Sequence, residues 1–218
     1  MKIRRTANAG VLLELDGVTF LLDGVCKEVS PYLATPPEER KRLSQCYSDV
    51  LAFTHTHKDH YDPAFAAEYQ KRTDGAILGC GFLSGDSAVA VPITVRGVTI
   101  TPIRTRHIGS AGNDTQHVSF VIEGSKCVWF LGDASPSQMR LLGACRRPDT
   151  LIVPYAYAST PSAFSIVRSI APENIVILHM PLRKNDPNYL WSLVENTVAG
   201  VTAPRVFIPD MGQTLEFS

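Results

Sequence analysis

Six consecutive residues, His55 to His60 (HTHKDH), bring three imidazoles and a carboxylate together directly after an apolar segment. Imidazole suits zinc and other borderline transition metals, and a carboxylate adds a harder oxygen ligand. His55 and His57 alternate by two, so an extended start would turn both rings to the same side. Asp59 and His60 then require the backbone to bend, which would present them to a neighbouring position. Such a cluster could serve two metals about 3.5 Å apart, the usual separation in binuclear hydrolytic sites. Half of the chain's 6 histidines lie here; His107, His117 and His179 fall near the ends of later predicted strands.

The elements that must position these groups can be read from the hydrophobic pattern. The segment from Asp49 to Thr54 reads as a short buried strand that delivers the cluster. Before it, Ala9 to Leu15 and Val18 to Leu22 read as a hairpin turning at Asp16–Gly17 and ending at Asp23–Gly24. Pro36 and Pro37 can open a helix through Leu43, because proline is tolerated in a first turn. A second helix is expected from Pro63 to Arg72. Short strands follow at Ala76 to Leu78, Ala88 to Val91, Val98 to Ile103, Val118 to Glu123 and Lys126 to Leu131. Later come a helix from Ser135 to Leu142, a strand from Thr150 to Val153, a helix from Ser162 to Ile170 and a strand from Ile175 to Leu178. The last elements are a helix from Asn188 to Ala199 and strands at Val206 to Ile208 and Thr214 to Phe217. Strands dominate early and strand–helix alternation strengthens late, the pattern of two packed sheets covered by helices.

Length and composition narrow the class. A chain of 218 residues with 44% hydrophobic content can bury one sizeable core, and no linker composition divides it. One domain over residues 1–218 is expected. The 21 basic and 21 acidic residues cancel, which makes nucleic acid a weak candidate partner. No apolar stretch approaches the roughly 18–20 residues that span a bilayer, and the opening segment lacks a signal-peptide core. The expectation is a cytoplasmic protein acting on a small molecule, with anionic compounds among the candidates. The 5 cysteines contain no CxxC pair and indicate neither a zinc knuckle nor a disulfide framework. Cys26, just after a strand, is the one weighed as a nucleophile.

With HTHKDH after a strand, Asp133 in FLGDAS and His179 at the end of IVIL, the chain resembles the metallo-β-lactamase-fold hydrolase superfamily, whose signature is HxHxDH. The resemblance covers nearly the whole chain. It implies an α+β fold, a four-layer αβ/βα sandwich of two packed mixed sheets flanked by helices. It also implies that His55, His57 and a third histidine hold one metal. Asp59, His60 and His179 would hold a second, and Asp133 would bridge both. Asp23 would lie beneath the ligand histidines and accept an imidazole N–H. His117, at the entry of the strand VSFVIEG, is favoured as the third histidine. His107, followed by a longer polar loop, resembles the placement in the L-ascorbate-6-phosphate lactonase-like branch and would be an alternative ligand or a substrate contact.

That equipment suits hydrolysis of a small ester, lactone or phosphoester by a metal-bound hydroxide, with Asp59 and Asp133 as the catalytic carboxylates. The metals would be two divalent ions, zinc first, with manganese, nickel or iron as alternatives. Arg183, Lys184 and Tyr155 are candidate substrate contacts, and Arg104 and Arg106 are weaker ones. A nuclease of the tRNA-processing type is the alternative enzyme. A non-catalytic metal-binding structural or sensory protein is the alternative of another class, and one-iron dioxygenases also occur in the superfamily. No Walker motif, dinucleotide fingerprint or serine elbow is present. The glycine-rich run from Gly79 to Ser87 reads as a connection, with a lid as the functional alternative.

Overall fold

A computed structural model describes residues 1–79, 91–109 and 115–218. The glycine-rich connection and most of the strand expected at 88–91 lie outside the described residues. The first sheet is built from β1 (Lys2–Arg5), β2 (Val11–Leu15), β3 (Val18–Leu22), β4 (Val50–Phe53), β5 (Ala76–Gly79) and β13 (Thr214–Glu216), in the order β13-β1-β2-β3-β4-β5. The second contains β6 (Ile93–Val95), β7 (Val98–Arg106), β8 (Gln116–Glu123), β9 (Cys127–Phe130), β10 (Thr150–Pro154), β11 (Asn174–Leu178) and β12 (Arg205–Phe207), in the order β12-β11-β10-β9-β8-β7-β6. Both sheets are mixed. Strands β3, β4 and β5 pair in parallel, as do β9 to β12, while the remaining pairs are antiparallel.

Side-chain alternation dictates the layering. On β2, β3 and β4 the residues Val11, Leu13, Leu15, Val18, Phe20, Leu22, Val50 and Ala52 face the second sheet and meet Val118, Phe120, Ile122, Val128, Phe130, Ile152 and Val176. The opposite parity, Leu21, Leu51 and Phe53, packs beneath α1 (Pro37–Gln45) and α2 (Pro63–Arg72) through Leu43, Phe65 and Tyr69. Val121, Trp129, Leu151, Ile175 and Ile177 pack beneath α3 (Pro161–Ser169) and α4 (Leu190–Val198). The result is helix, sheet, sheet, helix, the expected four-layer sandwich. Strands β4, β9, β10 and β11 show both parities buried, as strands covered on two faces must.

Local chemistry explains the joints. The Asp16–Gly17 turn has positive φ at both residues, the type I′ geometry suited to a two-residue hairpin, and Arg96–Gly97 repeats it between β6 and β7. The Asp62 carboxylate accepts from Ala64 N–H at 2.9 Å and caps α2, whose first residue is proline. The Asp186 carboxylate accepts from the N–H groups of Leu190 (3.0 Å) and Trp191 (2.8 Å), so α4 starts two residues after the expected Asn188. The segment expected as a helix from Ser135 is a 3₁₀ helix, Pro136–Ala144, because its entry is pinned by Ser135 N–H donating to Arg106 C=O at 2.7 Å. Strands β1 and β6 were not expected. Among the described residues no helix is long and apolar enough to cross a membrane.

Candidate metal centre

All the chemistry-bearing side chains emerge at one end of the sandwich. Asp23 follows β3, His55 to His60 follow β4, His107 follows β7, Asp133 follows β9, Tyr155 follows β10 and His179 follows β11. The carboxyl ends of parallel strands are the usual place for a site in such sheets. Two close approaches make room for it. A Cβ on Gly10 would lie 1.9 Å from the Asp23 carbonyl, and one on Gly132 would lie 2.5 Å from Thr54 Cγ2. Asp23 (φ 46°) and His179 (φ 62°) hold left-handed backbone that costs a non-glycine residue on the order of 1 kcal/mol. Both cost and position are local to the centre.

The histidine tautomers follow from their partners. The buried Asp23 carboxylate accepts from Thr54 N–H (2.7 Å), from the Thr54 hydroxyl (2.6 Å) and from His60 Nδ1–H (2.8 Å). Having donated to Asp23, the Thr54 hydroxyl must accept from His55 Nδ1–H at 3.0 Å. His107 Nδ1 is turned to the carbonyl of Ile108. Three rings thus turn Nδ1 to the protein and Nε2 inward. Those atoms, His55 Nε2, His60 Nε2 and His107 Nε2, are buried without a hydrogen-bond partner, as is Asp133 Oδ1. An unsatisfied buried polar group costs about 1–3 kcal/mol, and four converging at one centre fit a cation.

Two groups of three have ligand atoms within 4.8 Å of one another, His55, His57 and His107 in one, Asp59, His60 and His179 in the other. A third such group joins Asp23 to His55 and His60; there Asp23 is already engaged by three donors. Asp133 stands between the first two, with Oδ2 3.4 Å from His60 Nε2, 3.5 Å from His179 Nε2 and 3.7 Å from His107 Nε2. Asp59 Oδ2 lies 3.2 Å from His179 Nε2. Burial would raise the Asp133 carboxyl, but His179 and His60 outweigh it and hold its pKa well below the usual range. Burial disfavours charge on His60 as well; Asp133 and Asp23 overcome it and raise the ring above an ordinary histidine. Burial drives His55 down, leaving it neutral and able to ligate.

The two remaining histidines are placed in the reverse of the expected order. His107 is in the first group, whereas His117 Nε2 accepts the backbone N–H of Asp133 at 3.0 Å and is not free. Parity could have revealed this: Val118, Phe120 and Ile122 face the inter-sheet core, so His117 must face the other way. Sequence reasoning also missed Thr54, Asn8 and Tyr32. Asn8 C=O accepts from His179 N–H at 3.1 Å, and the Tyr32 ring meets the His179 ring edge-on at 4.4 Å. Arg5 was missed too. Its buried guanidinium donates to the carbonyls of Ala7 (3.2 Å), Asn8 (3.2 Å), Pro209 (3.0 Å) and Met180 (2.6 Å), tying β1 to the turn that carries His179.

Tyr155 reaches the centre, with its ring 5.9 Å from that of His179. It lines a small recess of about 60 Å³ with Ile108, Pro154, Ala156, Asp133 and His179. Arg183 is committed elsewhere, its guanidinium 3.7 Å above the Trp191 ring and 2.7 Å from Glu195. Lys184 is exposed on the same turn. Burial raises the Cys26 thiol, and its Sγ lies 3.7 Å from Leu33 C=O, which favours the protonated thiol over the thiolate a nucleophile needs. A larger hollow of about 540 Å³, lined by Arg168, Glu173 and Arg205, lies at the opposite ends of β11 and β12 and holds none of these groups.

Two mixed sheets flanked by helices, with this centre at the strand ends, are the architecture of the metallo-β-lactamase fold. Across 99% of its length it is 26% identical to a UPF0173 metal-dependent hydrolase of Methanopyrus kandleri, the whole of which is covered. Two solved structures share the fold. One is described as a possible metal-dependent hydrolase from Veillonella parvula (TM-score 0.75, 17% identity, 99% of this chain and 98% of that one). The other is an isothiocyanate hydrolase from Delia radicum gut bacteria (TM-score 0.72, 16% identity, 100% and 99%). No family model matches the chain.

Proposed function

We propose that this protein is a binuclear metal-dependent hydrolase of small esters, lactones or phosphoesters. The observation that carries the reading is the position of Asp133 between two three-residue groups in which the Nε2 atoms of His55, His107 and His60 lack partners. His55, His57 and His107 would hold one cation, Asp59, His60 and His179 the other, and Asp133 would be shared. Imidazole-rich groups with carboxylates favour zinc, although manganese, nickel and iron use the same donors. Two such cations, when bound, lower the pKa of a shared water and polarise a carbonyl or phosphoryl oxygen.

The chain's own residues supply the rest. Asp23 and Thr54 hold His60 and His55 in the Nδ1–H tautomer, so both rings are oriented before a cation arrives. Asp59, held as a carboxylate by His179 although burial opposes it, would accept the proton released from the attacking water. The recess under Tyr155 would receive a compact substituent of the substrate. Burial raises the Tyr32 phenol, and its hydroxyl faces that of Tyr155, so Tyr32 stays a proton donor at neutral pH and can hydrogen-bond an oxygen of the substrate. The place of His107 supports trying substrates of the lactonase-like branch first. The four free cysteines among the described residues suit a reducing cytoplasm.

The test combines metal analysis with turnover, on protein purified without a metal-affinity tag. The substrates would be lactones, carboxylic esters, thioesters, isothiocyanates, phosphomonoesters and phosphodiesters. Close to two metals per chain, with hydrolysis lost in His57→Ala, is expected. One tightly held metal without turnover, or one iron with oxygen-dependent turnover, would overturn the proposal.

A further inference from the structure

Behind Asp133 lies a chain of side chains whose hydrogen-bond directions are forced at both ends. Asp133 N–H can only donate, so His117 Nε2 accepts at 3.0 Å. The proton of the neutral ring is then on Nδ1, facing Thr105 Oγ1 at 2.8 Å. At the far end Leu131 C=O can only accept, so Ser119 donates to it at 3.0 Å. Ser119 Oγ must therefore receive the Thr105 hydroxyl proton across 3.1 Å. Thr105 and His117 are direct cross-strand partners, as are Ile103 and Ser119, so the ladder between β7 and β8 fixes the spacing. The chain begins at Asp133 and ends at Leu131, clamping both ends of a three-residue turn whose middle residue, Gly132, has φ 52°.

We infer that His117 is a positioning residue that holds the turn bearing Asp133, and that it stays outside the metal shell. Without this clamp Gly132, free to leave its left-handed conformation, would let the Asp133 carboxylate swing away from the two groups it faces. The adjoining residue supports the same arrangement: Val118 N–H donates to Thr54 C=O at 2.9 Å, joining the second sheet to the start of the histidine cluster. His117 is 1% exposed. The inference takes from the proposed function only the reading of Asp133 as a shared ligand.

Nitrogen NMR of histidine-labelled protein, before and after loading with cadmium-113, reads the claim directly. His117 should carry its proton on Nδ1 in both states and show no cadmium coupling, while His55 and His107 gain it. A cadmium coupling to His117 Nε2, or a proton on that atom, would overturn the inference while leaving a metal enzyme intact. Failure to bind cadmium at all would sink the metal reading, yet the tautomer in the metal-free protein would still decide the clamp. Independently, Thr105→Val should lower kcat about tenfold with KM unchanged and two metals retained, as for loss of one positioning hydrogen bond. Thr105→Ser should restore it. If Thr105→Val does not fold, Ser119→Ala interrupts the same chain at its other end. Unchanged kcat in the folded variant would refute the positioning role.

Discussion

Replacing Asp23 by asparagine changes one buried atom and should disable two ligand rings. The carboxylate accepts three hydrogen bonds, whereas an amide offers one oxygen and one NH2. Thr54 N–H cannot reverse, so the amide oxygen must serve it. The NH2 then faces the Thr54 hydroxyl and His60 Nδ1, both of which donated to Asp23 at 2.6 and 2.8 Å. His60 must move its proton to Nε2. The Thr54 hydroxyl, turned round, donates to His55 Nδ1 and drives that ring to the Nε2–H tautomer as well. Each reversed bond to a charged acceptor carries about 1.5–3 kcal/mol, and cation binding must undo both. A loss of affinity of about a hundredfold or more is therefore expected, at about 1.4 kcal/mol per tenfold. The metal-free protein should lose little stability, because burial already raises the Asp23 carboxyl and the amide removes that cost. Chelator competition measures the affinity, and urea unfolding of metal-free protein measures the stability. Binding of both metals within threefold of the unmodified protein would refute the argument.

Arg5→Met should destabilise by roughly 3 kcal/mol or more, since four buried carbonyls each lose a donor, although the His179 N–H still serves that of Asn8; a change under about 1 kcal/mol in urea unfolding would count against that role. Glu39 is held between Arg4 (2.9 Å) and Arg42 (2.5 Å), which depress its pKa although burial opposes them. Its contribution is present above the unfolded-state value of about 4.3 and lost as pH falls through the lower folded value. The deficit of Glu39→Gln should accordingly be full at pH 7 and vanish in strong acid; a deficit constant with pH would contradict the ion-pair account. Tyr32→Phe should reduce kcat/KM about two- to tenfold with metal content unchanged, the range for one hydrogen bond, and metal loss would instead assign Tyr32 to holding His179.

The parts of the fold legible in the sequence are those carried by local pattern. Alternation in β2 and β3, the Asp16–Gly17 turn and the Pro-initiated helices all rest on neighbours a few residues away. Strand β1 escaped notice because KIRR shows one apolar residue and is stabilised by pairing with β13 at the far end of the chain. The histidine cluster was legible because four ligand types in six positions have few structural uses. Thr54, Asn8 and Arg5 were not, since their roles are backbone carbonyls and hydroxyls met only after folding. His117 illustrates the boundary: its type suggested a ligand, while the folded chain turns its Nε2 to the Asp133 N–H.

The pairing of β1 with β13, and the reach of Arg5 to Met180 and Pro209, bear on when the centre can be assembled in a cell. A ribosome delivers His55 to His60 about 120 residues ahead of His179, which at 5–20 residues per second is on the order of ten seconds. Throughout that interval the nascent chain displays three histidines and an aspartate without His179 to complete the second set. A cation captured then would meet a partial, exposed and weakly selective cluster. On the proposed assignment of ligands, selective loading would follow the pairing of β13 with β1.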